Sequence, residues 1–209
     1  IIGPSGAGKS SAIRGLLGLW PASFGRLTID GMDATAWDRS ALGRQIGYLP
    51  QDIELLGGSI ANNIARFGEV DSEKVIRAAT DCGLHQFILS LPNGYDTDLA
   101  SPQANLSPGI RQRLALARAV YDRPRFVVLD EPNSNLDERG EIALSHTIKT
   151  LKASGSTVVI VSHRKSIVPL ADYLLVLAEG RQVHFDTRDK VVAALQPQQQ
   201  PVLTGGDVH

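Results

Sequence analysis

The sequence has almost no cysteine, no long apolar run and no excess of either charge, and each shortage removes a class of protein. One cysteine among 209 residues, Cys82, leaves no internal disulfide and no thiolate metal cluster. A reducing setting is therefore the expectation, and Cys82, beside Gly83, reads as a buried structural thiol. No window reaches the roughly 18 uninterrupted apolar residues that a membrane span needs. Val158 to Val161 and Leu174 to Leu177 are only strand length. The chain carries 21 basic against 22 acidic residues, a net charge of −1. It lacks the basic stripe of a nucleic-acid binder, and no nucleic-acid partner is expected. Internal repeats and long heptad arrays are missing too. With 43% hydrophobic residues, the chain can still bury one or two closely packed lobes.

What the chain does have stands at its start. Ile1-Ile2-Gly3-Pro4-Ser5-Gly6-Ala7-Gly8-Lys9-Ser10 is an apolar pair followed by G-x-x-x-x-G-K-S, the pattern by which a backbone cradles a nucleoside triphosphate, ATP or GTP. Successive N–H groups can curl around phosphate oxygens only where no Cβ blocks the approach and positive φ costs little. Lys9 is expected to reach the β and γ phosphates, and Ser10 to offer a hydroxyl to Mg²⁺. The helix that follows points the positive end of its dipole at the anion. Gly3, Pro4, Ser5, Gly6, Ala7, Gly8, Lys9, Ser10 and Ser11 are the candidate nucleotide-binding residues of this segment.

Strand-length apolar runs alternate with helical periodicity along the rest of the chain. Strands are expected over Gly25 to Ile29, Gln45 to Leu49, Phe126 to Asp130, Thr157 to Val161, Tyr173 to Ala178 and Arg181 to Phe185. The unbroken apolar runs in the third and fourth suit strands covered on both faces of a parallel sheet. Helices are expected after Lys9, Pro108, Glu138 and Arg188, and within Ser59 to Phe67, Ser72 to Cys82 and Leu84 to Leu91. The fold class is α/β, with a helical segment inserted into a mainly parallel sheet. The first residue is not Met and lies in what reads as the end of a strand, so the chain is expected to be a fragment. Gln196 to His209, rich in Gln and Pro, is expected to be a disordered tail.

Phe126-Val127-Val128-Leu129-Asp130-Glu131-Pro132 is an apolar strand ending in two carboxylates. Alone, such a pair reads as a solvated turn. After a phosphate loop, the first acid is placed to hold Mg²⁺ and the second to act as general base for an attacking water. Further along the chain Gln51 follows Tyr48-Leu49-Pro50, and Leu106-Ser107-Pro108-Gly109-Ile110 opens an Ala-rich helix. Asn133-Ser134-Asn135-Leu136-Asp137 follows the acids, and Ser162-His163-Arg164 ends a later strand.

This order of motifs resembles the nucleotide-binding domain of ABC transporters, from Ile1 to about Leu195. The resemblance implies a P-loop NTPase (RecA-like) core with a helical ABC subdomain. Residues 1–51 would be the first part of the core, truncated at its N-terminus, and 52–123 the helical subdomain carrying the signature motif. Residues 124–195 would complete the core, with 196–209 the tail. Gly3 to Ser10 then match the Walker A loop, Gln51 the Q-loop, Leu106 to Ile110 the signature and Asp130 with Glu131 the Walker B pair. Asp137 matches the D-loop and His163 the switch histidine.

The roles implied are catalytic for Glu131, His163, Lys9 and Gln51, and metal-holding for Ser10, Gln51 and Asp130. Ser107, Gly109 and Asp137 join the nucleotide-binding set, with ATP and Mg²⁺ as cofactors. The stretches Ile46 to Leu55, Asn62 to Phe67 and Asp130 to Asp137 look most like the ATPase half of type I secretion exporters for bacterial proteases and lipases. That likeness implies a fused or associated transmembrane domain and a second copy of the chain, with ATP sandwiched between the copies. It further implies a periplasmic adaptor, an outer-membrane channel, and a place at the cytoplasmic face of the bacterial inner membrane.

The chain departs from the family in its signature, where Pro108 and Ile110 replace the usual glycine and glutamine, and in Leu99 to Gln103, which lacks a glycine-rich turn. A soluble ABC ATPase outside transport and a nucleotide-binding regulatory module with weak hydrolysis are the alternative readings.

Overall fold

The computed structural model describes residues 1–20, 24–33, 38–101 and 105–196. The expected tail from residue 197 onward, and Pro102 with Gln103, lie outside the described residues.

Helix α1 (Lys9–Leu16) starts directly behind the phosphate loop. Strands β1 (Thr28–Ile29) and β2 (Met32–Asp33) form a small antiparallel hairpin. The single strand expected over Gly25 to Ile29 is thus confined to its last two residues. Asp30 and Gly31 both take positive φ, 51° and 81°, the paired left-handed geometry of a tight hairpin turn, which Asp-Gly favours. Helix α2 (Arg39–Gln45) runs straight into β3 (Ile46–Leu49), so Gln45 ends a helix where a strand start was expected.

Residues 52–123 contain α3 (Ile60–Ile64), α4 (Ser72–Asp81), α5 (His85–Leu89) and α6 (Pro108–Val120), with no strand among those described. Then follow β4 (Phe126–Asp130), α7 (Glu138–Ala153), β5 (Thr157–Val161), β6 (Tyr173–Ala178), β7 (Arg181–Thr187) and α8 (Arg188–Leu195). Side-chain caps explain several helix starts. Ser59 accepts from the Asn62 N–H, Asp71 from Lys74, Ser107 from Ile110 and Asp137 from Gly140, each satisfying an otherwise orphaned donor.

Strands β3, β4 and β5 lie parallel in that order. Ile1 and Ile2 continue the sheet. The Ile1 N–H donates to Ile160 O and the Ile1 carbonyl accepts from Ser162, while Ile2 exchanges two bonds with Leu175 and Leu177 of β6. The antiparallel β6–β7 pair is joined on through this short extended segment. Side chains alternate across β4 as the pleat requires. Val128 packs with Ile13 of α1 and Val161, whereas Val127 and Leu129 join Leu49, Leu114, Leu116, Leu144 and Ile148 on the other face. The unbroken apolar runs thus correspond to strands covered on both sides. That second core continues into the helical segment through Ile60, Ile64, Val75 and Ile88.

Arg66, just past α3 with φ 56°, ties this segment to the sheet. Its Nε donates to Arg118 O, one terminal nitrogen to Ile46 O and Gly43 O, and the other to Ala119 O and Tyr121 O. The guanidinium thereby satisfies carbonyls at the end of α6, where no intrahelical partner exists, and burial lowers its pKa. Arg66→Ala is expected to lower stability by about 2–4 kcal/mol in denaturant titrations, because it strands several half-buried carbonyls. Arg66→Lys should recover less than half of that loss, since an ammonium has three donors on one point and cannot span the fork.

Candidate functional site

The phosphate loop turns from an extended pair into a helix within six residues, which L-residues with a Cβ do not do at every position. Gly6 and Gly8 take φ of 77° and 92°, and Gly8 is the residue before α1. A Cβ on Gly3 would stand 2.2 Å from Leu177 O, so only glycine allows the loop to lie against β6. Ala7 is buried and its carbonyl accepts from the Gly180 N–H, pinning the loop to the β6–β7 turn. Lys9 Nζ donates to Gly3 O and Pro4 O, both at 2.8 Å. The cation therefore reaches back over the loop, while Pro4, Ser5, Gly6, Ser10 and Ser11 are exposed beside it.

Asp130 ends β4 and is only 4% exposed. Burial raises its pKa, the neighbouring Glu131 raises it further, and Lys9 and Arg14 oppose the rise. Glu131 takes a left-handed φ of 50°, uncommon for a residue with a Cβ, and its N–H donates to Val161 O at 2.9 Å. His163, two residues beyond β5, is exposed, and its Nδ1 lies 2.9 Å from the largely buried Glu131 Oε2. That contact is close enough for an ion pair when the imidazole is protonated, yet it is not aligned as a hydrogen bond, and Oε2 has no other partner. Gln51 is exposed two residues beyond β3. Gln51, Asp130, Glu131 and His163 thus stand at the carboxyl ends of neighbouring parallel strands, beside the loop that leaves Ile1–Ile2. Ligands of open α/β sheets sit at such ends.

Ser107, Gly109 and Asp137 stand elsewhere. Ser107 Oγ accepts from the Ile110 N–H at 3.4 Å at the start of α6, with Pro108 in the first turn. Asp137 caps α7. Among the described residues no hydrogen bond or ion pair joins Ser107, Gly109 or Asp137 to residues 3–11. A cavity of about 570 Å³ is lined by Ile1, Ile2, Val158, Ile160, Leu174 and Leu175 among others, and includes neither residues 3–10 nor Gln51, Asp130, Glu131 or His163.

Sequence reasoning passed over a polar group behind the acids. Gln112 of α6 is 1% exposed, and its Nε2 donates to Pro132 O and Glu131 O. Ser162 Oγ donates to Asn133 Oδ1, and both residues are buried, with Asn133 Nδ2 unpartnered. A signal was available for Gln112. It shares one helical face with Ala115, Leu116 and Ala119, all buried, and a polar residue on an apolar face calls for a partner.

The profile of the ABC transporter family matches residues 1–134. The chain is 49% identical over 201 residues to the type I secretion system ATP-binding protein PrsD of Rhizobium meliloti, covering 95% of this chain and 34% of that protein. It is 38% identical over 196 residues to the cyclolysin secretion/processing ATP-binding protein CyaB of Bordetella pertussis, covering 93% of this chain and 27% of that one. Among solved structures, a bacterial Atm1-family ABC exporter with ATP bound superposes with a TM-score of 0.84 at 33% identity, over 93% of this chain and 34% of that one. The chain spans about a third of the length of these relatives.

Asp130 generates a prediction about stability. Because its folded pKa lies above the unfolded carboxylate value, its contribution to stability is fully present below the unfolded pKa, about 4, and is lost as pH rises through the folded pKa. Asp130→Asn is therefore expected to raise the melting temperature of the nucleotide-free chain at neutral pH by about 2–4 °C. The difference should shrink as the buffer approaches about pH 4, as thermal melts at the two pH values would show.

Proposed function

The chain belongs to the ABC transporter family, and from that premise we propose that it is the ATP-binding and ATP-hydrolysing cassette of an exporter that drives type I protein secretion. The observation that carries the hydrolytic part is the Glu131–His163 contact at the end of the sheet where Lys9 acts on the neighbouring Asp130. The secretory part is supported by similarity to PrsD and CyaB, whose names describe secretion ATP-binding proteins.

In this reading Lys9 leaves its two loop carbonyls and, with the N–H groups of residues 5–10, takes the β and γ phosphates. The residues present fit a magnesium ion. Asp130 is a buried carboxylate that gains from a neighbouring cation, while Ser10 and Gln51 are exposed oxygen donors. Among the described residues no group of three or more His, Cys, Asp or Glu could hold a metal by itself. That suits an ion taken up together with phosphate. Bound there, Mg²⁺ would neutralise charge on the transferring phosphoryl group.

Glu131 accepts a proton from the attacking water, and His163, held against it, contacts the γ phosphate. Ser107 and Gly109, separate from the loop in one chain, come from a second copy, as does Asp137 at the seam. ATP is sandwiched between the two copies. Residues 1–51 and 124–195 are the RecA-like core around the helical unit 52–123. Closure of the pair moves a fused or associated transmembrane domain at the cytoplasmic face of the bacterial inner membrane, which works with a periplasmic adaptor and an outer-membrane channel.

The test is a turnover assay on the full-length protein. Glu131→Gln is expected to lower kcat at least about 100-fold while leaving ATP affinity within a few-fold. Equal and negligible rates for wild type and variant would leave only a binding module. Pro108→Gly is expected to change the rate by less than about fivefold, because proline in a helix's first turn removes a donor that has no intrahelical partner.

A further inference from the structure

We infer that Gln112 is a positioning residue for Glu131, fixing the peptide behind the general base from the helix that begins with Ser107 and Gly109. This rests on the reading of Glu131 given above. Three observations carry it. Gln112 is 1% exposed, and its Nε2 donates to Pro132 O at 3.0 Å and to Glu131 O at 3.3 Å. Its Oε1 accepts from Asn135 Nδ2 at 3.3 Å, so the amide's orientation is set by its partners on both sides. Last, Asn135 O would stand 3.0 Å from a Cβ on Gly109, so the same loop packs against the first turn of α6.

Glu131 needs such fixing. Its φ of 50° is a conformation that a residue with a Cβ keeps only when its surroundings over-determine it. Its N–H is taken by Val161 O, and its carbonyl receives Ser134 N–H and Gln112. Without the amide, the Pro132 carbonyl loses the Gln112 donor and the Glu131 carbonyl keeps only the Ser134 N–H, so the turn is held less firmly and relaxes toward an ordinary backbone region. The carboxylate swings with it, away from His163. Nucleotide binding by the Lys9 loop does not pass through this peptide, so the loss belongs to the chemical step.

The experiment uses full-length wild type, Gln112→Met, Gln112→Glu and Asn135→Ala, and measures kcat, KM and the affinity for a non-hydrolysable ATP analogue. Gln112→Met keeps the volume and removes both hydrogen-bonding groups. It is expected to lower kcat about tenfold or more with analogue affinity within about threefold. Gln112→Glu lacks the donor while ionised. Burial raises the pKa of such a carboxyl, so its rate relative to wild type is expected to climb as pH is lowered from about 8 to about 6, as the proton returns. Gln112→Met should show no such recovery.

Asn135 is exposed. Its Ala variant provides a readout if Gln112→Met does not fold, with an expected fall in kcat of about threefold at unchanged affinity. The inference is overturned by Gln112→Met turning over at the wild-type rate, by equal losses of rate and affinity, or by a pH-independent ratio for Gln112→Glu. If Gln112→Met does not fold, an unaltered Asn135→Ala overturns it. Wild type that does not hydrolyse ATP sinks the proposed function and this inference with it. Active wild type beside fully active variants sinks the inference alone.

Discussion

Parallel pairing is the constraint on which the rest of the molecule depends. Leu49 lies opposite Leu129, and Asp130 opposite Val161, so three strands end at one level. The residues just beyond those ends, Gln51, Glu131 and His163, therefore arrive at one edge without any further device. The hydrogen bonds of Ile1 and Ile2 to β5 and β6 lay the phosphate loop beside them. A slip of β4 by one residue would exchange Val128 with Val127 and Leu129, putting each in the wrong apolar layer. Both layers are filled, by Ile13 on one side and by α6 and α7 on the other. Hydrophobic burial thus fixes the register, and the register fixes the site.

Around that edge the chain gathers several local costs in four consecutive residues. Asp130 is a buried acid, Glu131 is left-handed, Glu131 Oε2 lacks a directed partner and Asn133 Nδ2 has none. All four fall within residues 130–133. By contrast α3, α4, α6 and α7 each begin with a serine or aspartate whose side chain meets a backbone donor. Such concentration of unfavourable features is characteristic of functional sites. The surrounding bonds, from Val161, Ser134 and Gln112, hold the conformation in place.

Most of the sheet was legible in the sequence because its strands are unbroken apolar runs. Five of the six expected strands agree with β3, β4, β5, β6 and β7 to within two residues. The phosphate loop and the acids were legible because their spacing is chemical, and glycine and carboxylate positions do not depend on distant packing. Gln45 was misread because helix α2 runs into β3 without a breaker, leaving no local mark of the change. The Asp30-Gly31 turn did carry its mark in the dipeptide itself. The partners of Gln112 and Arg66 were invisible for a different reason. They are backbone carbonyls about 20 and about 50 residues away, and a carbonyl has no residue identity that a sequence could display.

The departure at the signature is smaller in structure than in sequence. Ser107 uses its oxygen to accept from the Ile110 N–H at 3.4 Å, which occupies one lone pair and leaves its hydroxyl proton to give. Pro108 takes the first turn of α6, where a missing N–H breaks no helical bond and the fixed φ matches the helix. Gly109 retains the close approach, with Asn135 O where a Cβ would crowd it. Donor, dipole and bare backbone therefore all survive at the start of α6. In the proposed pair, what is given up is the one N–H that proline removes and whatever the side chain usual at the Ile110 position would add. The remaining groups suffice to meet a phosphate oxygen held by another copy, because a helix start offers several amides at once.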